Sequence, residues 1–410
     1  MSTAYDIRVP ETAARAPGAG SVRLLTWFVV GLPLWWLLGL GSLGYFLVAA
    51  LLGVDLVRRR PWQLPLGSAW WLLFLAWVVL SIVMLPLEAP GTVVEGIGAR
   101  IIPTAFRLGE YAACTLTLIW ACTTSAVELS ARRLGGLLAV AFGWTVAGGL
   151  LGLVAPGFQV TSLVERVLPG SLAGNGYVHA LVHPAAAQVQ RLFAGEDGVG
   201  RPAAPYPYTN TWGNALGLLL PIGCALIVQS GVAGPLAIVA VLATPLGAGL
   251  ADRNAQAPSN GVRAFSVARA IEITTASPVL GYGSTRSQLG SHETIAVGKS
   301  ASCPKCGNMA LGTNGQLWFA GVGQGFVGAG FFALFHVAVL WYYRRLRSPL
   351  GLAALTSCVG ALVFMLVYDR TVATGCLEFL IIALLVKVAR EEDAEAGAGD
   401  TALESAVRTG

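Results

Sequence analysis

The sequence predicts an all-α polytopic membrane protein, on three observations. Of its 410 residues 55% are hydrophobic and only 11% are charged, against roughly a quarter charged in soluble domains. Apolar runs of about twenty residues or fewer recur along the chain, close to the length a helix needs to cross a bilayer. Strong basic clusters abut the ends of these runs, as cytoplasmic loops do.

Residues 1–23 are polar, rich in Ala, Gly and Pro, and carry Arg8, Arg15 and Arg23, so they read as a disordered cytoplasmic tail. A multi-pass domain is expected over 24–390. Its first run, 24–54, is too long for one span and has Gly39, Gly41 and Gly44 near its middle, which predicts a hairpin of two short helices. Arg58-Arg59-Arg60 then marks the cytoplasmic side. From that triplet, 68–85 crosses outward, 108–126 returns towards Arg132-Arg133, and 135–154 crosses outward again. Residues 216–229 and 232–250 form the next inward and outward pair, and 319–343 returns to Arg344, Arg345 and Arg347. A last hairpin, 350–367 and 372–388, ends at Lys387 and Arg390, before an acidic cytoplasmic tail over 391–410. The sum is about ten transmembrane helices in the cytoplasmic (inner or plasma) membrane with both termini inside. Two large extracytoplasmic loops follow from it, at about 156–211 and 251–315.

The net charge of +5 is small and its basic residues are dispersed, so no nucleic-acid partner is implied. Cys114, Cys122, Cys224, Cys358 and Cys376 lie singly in apolar runs, where a thiol acts as a small hydrophobe. Cys303 and Cys306 form a pair on the expected oxidising side, where a small disulfide loop fits better than zinc.

The stretch from Ser259 to Trp318 carries the chemistry. It opens as a helix that Ser259 or Asn260 can cap and Pro278 stops, which puts Arg263 in the first turn. Backbone N–H groups and the helix dipole favour an anion there, and a guanidinium adds a bidentate phosphate clamp. Many arginines of the external segments have a carboxylate nearby in sequence: Arg269 has Glu272, Arg166 has Glu165 and Arg107 has Glu110. Arg263 has none, which leaves its donors for an outside partner; Arg286 and Arg191 are its expected companions in holding a diphosphate.

Three blocks resemble the O-antigen ligase and polymerase family of polytopic membrane proteins. One is Pro205-Tyr206-Pro207-Tyr208-Thr209-Asn210-Thr211-Trp212-Gly213, at the start of a central span. The second is Arg263 followed by Ser277-Pro278-Val279-Leu280-Gly281-Tyr282-Gly283. The third is Thr313-Asn314-Gly315-Gln316-Leu317-Trp318 with Gly325 and Gly328. The resemblance covers about 200–335. It implies a GT-C-like fold that lacks one helical pair of the usual twelve. It further implies a metal-independent transferase with no cofactor, moving glycan from an undecaprenyl-diphosphate carrier to an acceptor hydroxyl at the outer face. Its partners would be a lipid-linked glycan donor, a glycan or lipid acceptor, and membrane lipid. The family's outer Ser-Arg-Gly is missing, and Thr313 or Asn314 stands where the family carries a histidine. His292, beside Glu293, and Glu378, in the last span, are the candidate replacement bases.

His179 and His183 are spaced to share a helix face, but no third metal ligand is near in sequence, and they read as structural, as does His336 within its span. Two other classes stay open: a membrane transporter, which would need broken helices and paired mid-membrane charges, and a non-catalytic subunit of an envelope-polysaccharide assembly.

Overall fold

The computed structural model of the chain describes residues 19–94, 96–170, 176–190, 199–229, 257–288, 309–312 and 314–409. They form a helical bundle: α1 (Ala19–Val30), α2 (Leu32–Leu37), α3 (Leu43–Val57), α4 (Ser68–Ser81), α5 (Ile97–Thr123), α6 (Ala131–Val154), α7 (Leu163–Val167), α8 (Gly176–Val182), α9 (Thr209–Gln229), α10 (Ala257–Ala276), α11 (Gln316–Tyr343), α12 (Pro349–Phe364) and α13 (Val372–Thr409). Two short antiparallel pairs accompany them, β1 (Ala187–Gln190) with β2 (Val199–Pro202) and β3 (Ser287–Gln288) with β4 (Met309–Ala310). The chain is a helical protein of membrane type: α6, α9, α11 and the first 25 residues of α13 are long and apolar enough to span. Shorter apolar helices cover Gly20–Val30, Leu43–Val57, Ser68–Met84 and Pro349–Phe364. The expected span at 232–250 lies outside the described residues.

The first apolar run bends where its glycines predict. Gly39, at φ +82°, turns the chain between α2 and α3, and a Cβ there would sit 2.7 Å from the Val182 carbonyl oxygen. A further break at Gly31, with Pro33 in the first turn of α2, splits the first arm in two. The expected external loop at 156–211 is built from α7, α8, β1 and β2 rather than left open. Gly148 and Gly152, one turn apart on α6, let that loop close onto the helix: a Cβ at either would meet the carbonyl oxygens of Ala204 and Ala186 at 2.1 and 2.6 Å.

The last helix, not a peripheral hairpin arm, is the axis of the bundle. In its most apolar stretch 94% of α13 is buried inside the protein. Trp71, Phe74, Phe332 and Phe335 interlock against its Phe379, with Trp71 and Phe379 ring centroids 4.8 Å apart and edge-to-face.

One end of the bundle gathers the basic clusters. Arg59 pairs with Glu128 and Asp55 at 2.6 Å, and Asp55 also accepts from Ser21 and Trp120. Lys387 and Arg390 donate to the Thr124 and Cys122 carbonyls, so cations of α13 cap the C-terminus of α5. Glu391 and Glu392 accept from the backbone N–H groups of Ala131 and Ser348 at the starts of α6 and α12. The opposite end carries the candidate site.

Candidate functional site at the end opposite the basic clusters

Two glycine blocks of the sequence meet here as one joint. Gly321, Gly323 and Gly325 weaken α11, and Gly325 leaves helical geometry altogether at φ +70°. The backbone groups this break exposes are taken by the turn that follows α10. Tyr282 N–H donates to the Val322 carbonyl at 2.9 Å, Gly283 N–H to that of Gly323 at 2.7 Å, and Phe326 N–H to that of Pro278 at 2.7 Å. Backbone polar groups buried in a membrane protein require such satisfaction. The fit needs glycine on both sides: a Cβ on Gly281 would lie 2.5 Å from the Gly325 nitrogen, and one on Gly325 2.6 Å from the Pro278 oxygen. Trp77 adds an indole N–H to the carbonyls of Val279 and Gln324.

Helix α10, held by this joint, carries Arg263 to the connection between α12 and α13. Its guanidinium lies over the Tyr368 ring, 5.5 Å from the centroid, and makes no hydrogen bond or ion pair with any other described residue. The neighbouring arginines differ. Arg269 pairs with Glu272 at 2.5 Å and Arg107 with Glu110 at 2.8 Å, as their spacing predicts. Arg100 pairs with Glu88. Arg286 is only 1% exposed, and its guanidinium donates to the carbonyls of Tyr282, Leu85 and Leu87. In this arrangement Arg286 ties the joint to the end of α4. The pairing expected for Arg166 is not made; Glu165 turns to His183 and His179 instead. Arg191, His292, Cys303 and Cys306 lie outside the described residues, as does Thr313.

The other named residues pack around the same connection. Asn314 is half-buried just before α11, and Trp318 donates to the Leu366 carbonyl at 2.8 Å. Asn210 and Trp212 open α9; Trp212 is buried and donates to the Thr145 carbonyl, while the neighbouring Gly213 faces the Tyr368 hydroxyl. Blocks separated by a hundred residues in sequence therefore converge on Tyr368.

Directly behind Tyr368 the chain turns inward. Arg370 N–H donates to Gln316, whose amide donates in turn to the Tyr111 hydroxyl, and the Arg370 carbonyl accepts from Arg107. The Arg370 side chain then runs over Gly375, where a Cβ would come within 3.0 Å of it, to reach Glu378 at 2.8 Å and His336 Nε2 at 3.0 Å. His336 Nε2 is 2.6 Å from Glu378 Oε1, and its Nδ1 is 2.8 Å from the Phe332 carbonyl oxygen. All three side chains are at least 90% buried, and the Arg370 guanidinium and the His336 imidazole meet on one Glu378 oxygen, Oε1.

No family model and no curated protein matches the chain. The functional reading thus rests on the motifs and on this geometry. Asp369, in the same connection, has its pKa raised by burial, against the pull of Arg107. Arg263, over the Tyr368 ring, has no carboxylate partner among the described residues.

Sequence reasoning missed Tyr368, Arg107 and Gln316 as parts of one site and read His336 as structural. A histidine and a glutamate in separate apolar runs are each a flag for buried polar function, but their pairing has no signature in spacing. Glu378, singled out from sequence, does sit in this cluster.

Proposed function

We propose that the chain is a membrane glycan ligase or polymerase that binds an undecaprenyl-diphosphate-linked glycan at the outer membrane-water boundary and transfers the glycan to an acceptor hydroxyl. The supporting observation is Arg263: held by a glycine joint, stacked on Tyr368 and without a carboxylate among the described residues, it presents the donors a diphosphate needs. In the reaction the acceptor oxygen forms a bond to the anomeric carbon. The bond from that carbon to the diphosphate oxygen breaks, and the leaving diphosphate is neutralised by Arg263. His292 is the proposed base for the acceptor proton, since Glu378 is tied to Arg370 and His336 in the interior. Tyr368, Arg370 and His336 position the connection on which Arg263 rests. This reading takes about ten spans in a GT-C-like arrangement, with the basic end cytoplasmic and the loops at 156–211 and 251–315 outside.

Two observations favour a transporter as the second reading: α11 is broken within the bundle, and His336, Glu378 and Arg370 form a buried ionisable cluster. A non-catalytic envelope subunit is the third. Reconstituted proteoliposomes separate them. The leading reading expects transfer of glycan from lipid diphosphate to acceptor that falls at least about tenfold in Arg263→Ala, the loss of one charge-assisted bond or more. Substrate uptake without transfer supports the transporter, and neither activity supports the subunit.

A further inference from the structure

A second cluster lies away from this site, in the structured loop between α6 and α9. His179 projects from α8 and His183 follows its last turn, and Glu165 on α7 meets both. Glu165 Oε2 is 2.9 Å from His183 Nδ1, Oε1 is 3.3 Å from His179 Nε2, and the ligand atoms all lie within 4.8 Å of one another. The third ligand that spacing fails to show is thus supplied from upstream by tertiary contact. The imidazoles are stacked, with centroids 4.6 Å apart and planes 19° from parallel, and they aim one nitrogen each at the same carboxylate.

His183 Nε2 faces the Gln159 side-chain oxygen at 3.4 Å, which turns the other ring nitrogen, Nδ1, toward the carboxylate. Glu165 itself is held in place: it belongs to a capping box in which Ser162 N–H donates to Oε2 at 3.3 Å and Ser162 Oγ accepts from Glu165 N–H. A histidine ligand whose second nitrogen donates to a side-chain oxygen, beside a carboxylate fixed by backbone N–H, is the usual outer support of a metal site.

We propose that Glu165, His179 and His183 bind a zinc-class divalent cation. Tetrahedral zinc at about 2.0–2.2 Å from nitrogen and oxygen ligands places those ligands a little over 3 Å apart, close to the two short separations here. Rotation of His179, whose side chain is 46% exposed, closes the remaining one. Two imidazoles with one carboxylate suit zinc rather than magnesium or calcium, and exposure on the His179 side leaves the fourth position to water. The ion would staple α7 to α8 over the α2–α3 turn, where Val164 N–H donates to the Leu38 carbonyl and Val160 N–H to that of Pro184.

The test uses the full chain purified in detergent with a tag lacking histidine, in a Cys303→Ser/Cys306→Ser background to remove competing thiolates. After chelator treatment it is titrated with zinc and with cobalt(II). Expected are about one zinc per chain, the visible absorption of tetrahedral cobalt displaced by zinc, and a rise in unfolding temperature on adding zinc. Affinity should drop at least about tenfold in His179→Ala, His183→Ala and Glu165→Gln, and by about tenfold in Gln159→Leu, with Arg263→Ala unchanged. Zinc binding that survives His179→Ala with full affinity, or an absence of stoichiometric binding by the folded parent, overturns the proposal. Should His183→Ala fail to fold, the exposed His179→Ala carries the same test.

Discussion

Arg263 and Glu378 are both ionic residues flagged from sequence, yet they do opposite things. Glu378 is consumed by its partners, holding His336 and Arg370 in the interior. Removing one member of a buried ion pair strands the others, which costs about 3–5 kcal/mol, so Glu378→Ala is expected to lower the unfolding temperature sharply in detergent. His336 and Glu378 should be non-additive in a double-mutant cycle. Asp369 gives a pH signature. Its folded pKa is raised by burial, so the stability it contributes is present below the unfolded value near 3.8 and is lost as pH rises through the folded value. Asp369→Asn should therefore raise the unfolding temperature near neutral pH and leave it unchanged below about pH 4, as read by thermal unfolding across pH. Carboxylates near arginines were legible wherever the partner lay one turn away, as for Arg107 and Arg269, because helix geometry dictates those contacts. Arg286 and Arg166 were not, because their partners are backbone carbonyls or are claimed by a distant helix.

At the scale of elements the glycine joint is the decisive feature. Gly281 and Gly325 each adopt positive φ and each face backbone atoms across the contact. Substitution of either by alanine combines strain with a clash that no side-chain movement relieves, with an expected loss of about 2 kcal/mol or more. Gly330→Ala, five residues further along α11 with open space around it, should be neutral or slightly stabilising through helix propensity. Thermal unfolding of the three variants side by side checks the contrast. The sequence showed both glycine blocks as turn signals, but not that one turn fills the other's helix break. That complementarity lies between segments some forty residues apart, and periodicity carries no trace of it. The bend at Gly39 was legible for the opposite reason: a run too long for one span must fold, and the glycines mark the cheapest place.

For the whole molecule, charge asymmetry was the most readable property. The basic clusters of α3, α6, α11 and α13 meet at one end and are knitted by Glu128, Glu391 and Glu392. If that end is cytoplasmic, a cysteine at Val127, 98% exposed, reacts with a membrane-impermeant thiol reagent only after the inner face is opened. A cysteine at Val94, 80% exposed, reacts in intact cells; both use the Cys303→Ser/Cys306→Ser background. Reversed labelling would place Arg263 on the cytoplasmic side and remove the proposed substrate. Less readable was the central position of α13. A uniformly apolar helix is compatible with lipid or with protein on every side, and only the packed bundle distinguishes them.

Diphosphate recognition by Arg263 carries the proposed function. Binding of undecaprenyl diphosphate to the purified chain in nanodiscs, measured by competition with a fluorescent lipid-diphosphate analogue, tests it without requiring turnover. The parent chain should bind at least about tenfold more tightly than Arg263→Ala, and Arg263→Lys should recover only part of the loss, since an ammonium cannot reproduce the guanidinium fork. Equal affinity of all three for the lipid would contradict the central claim.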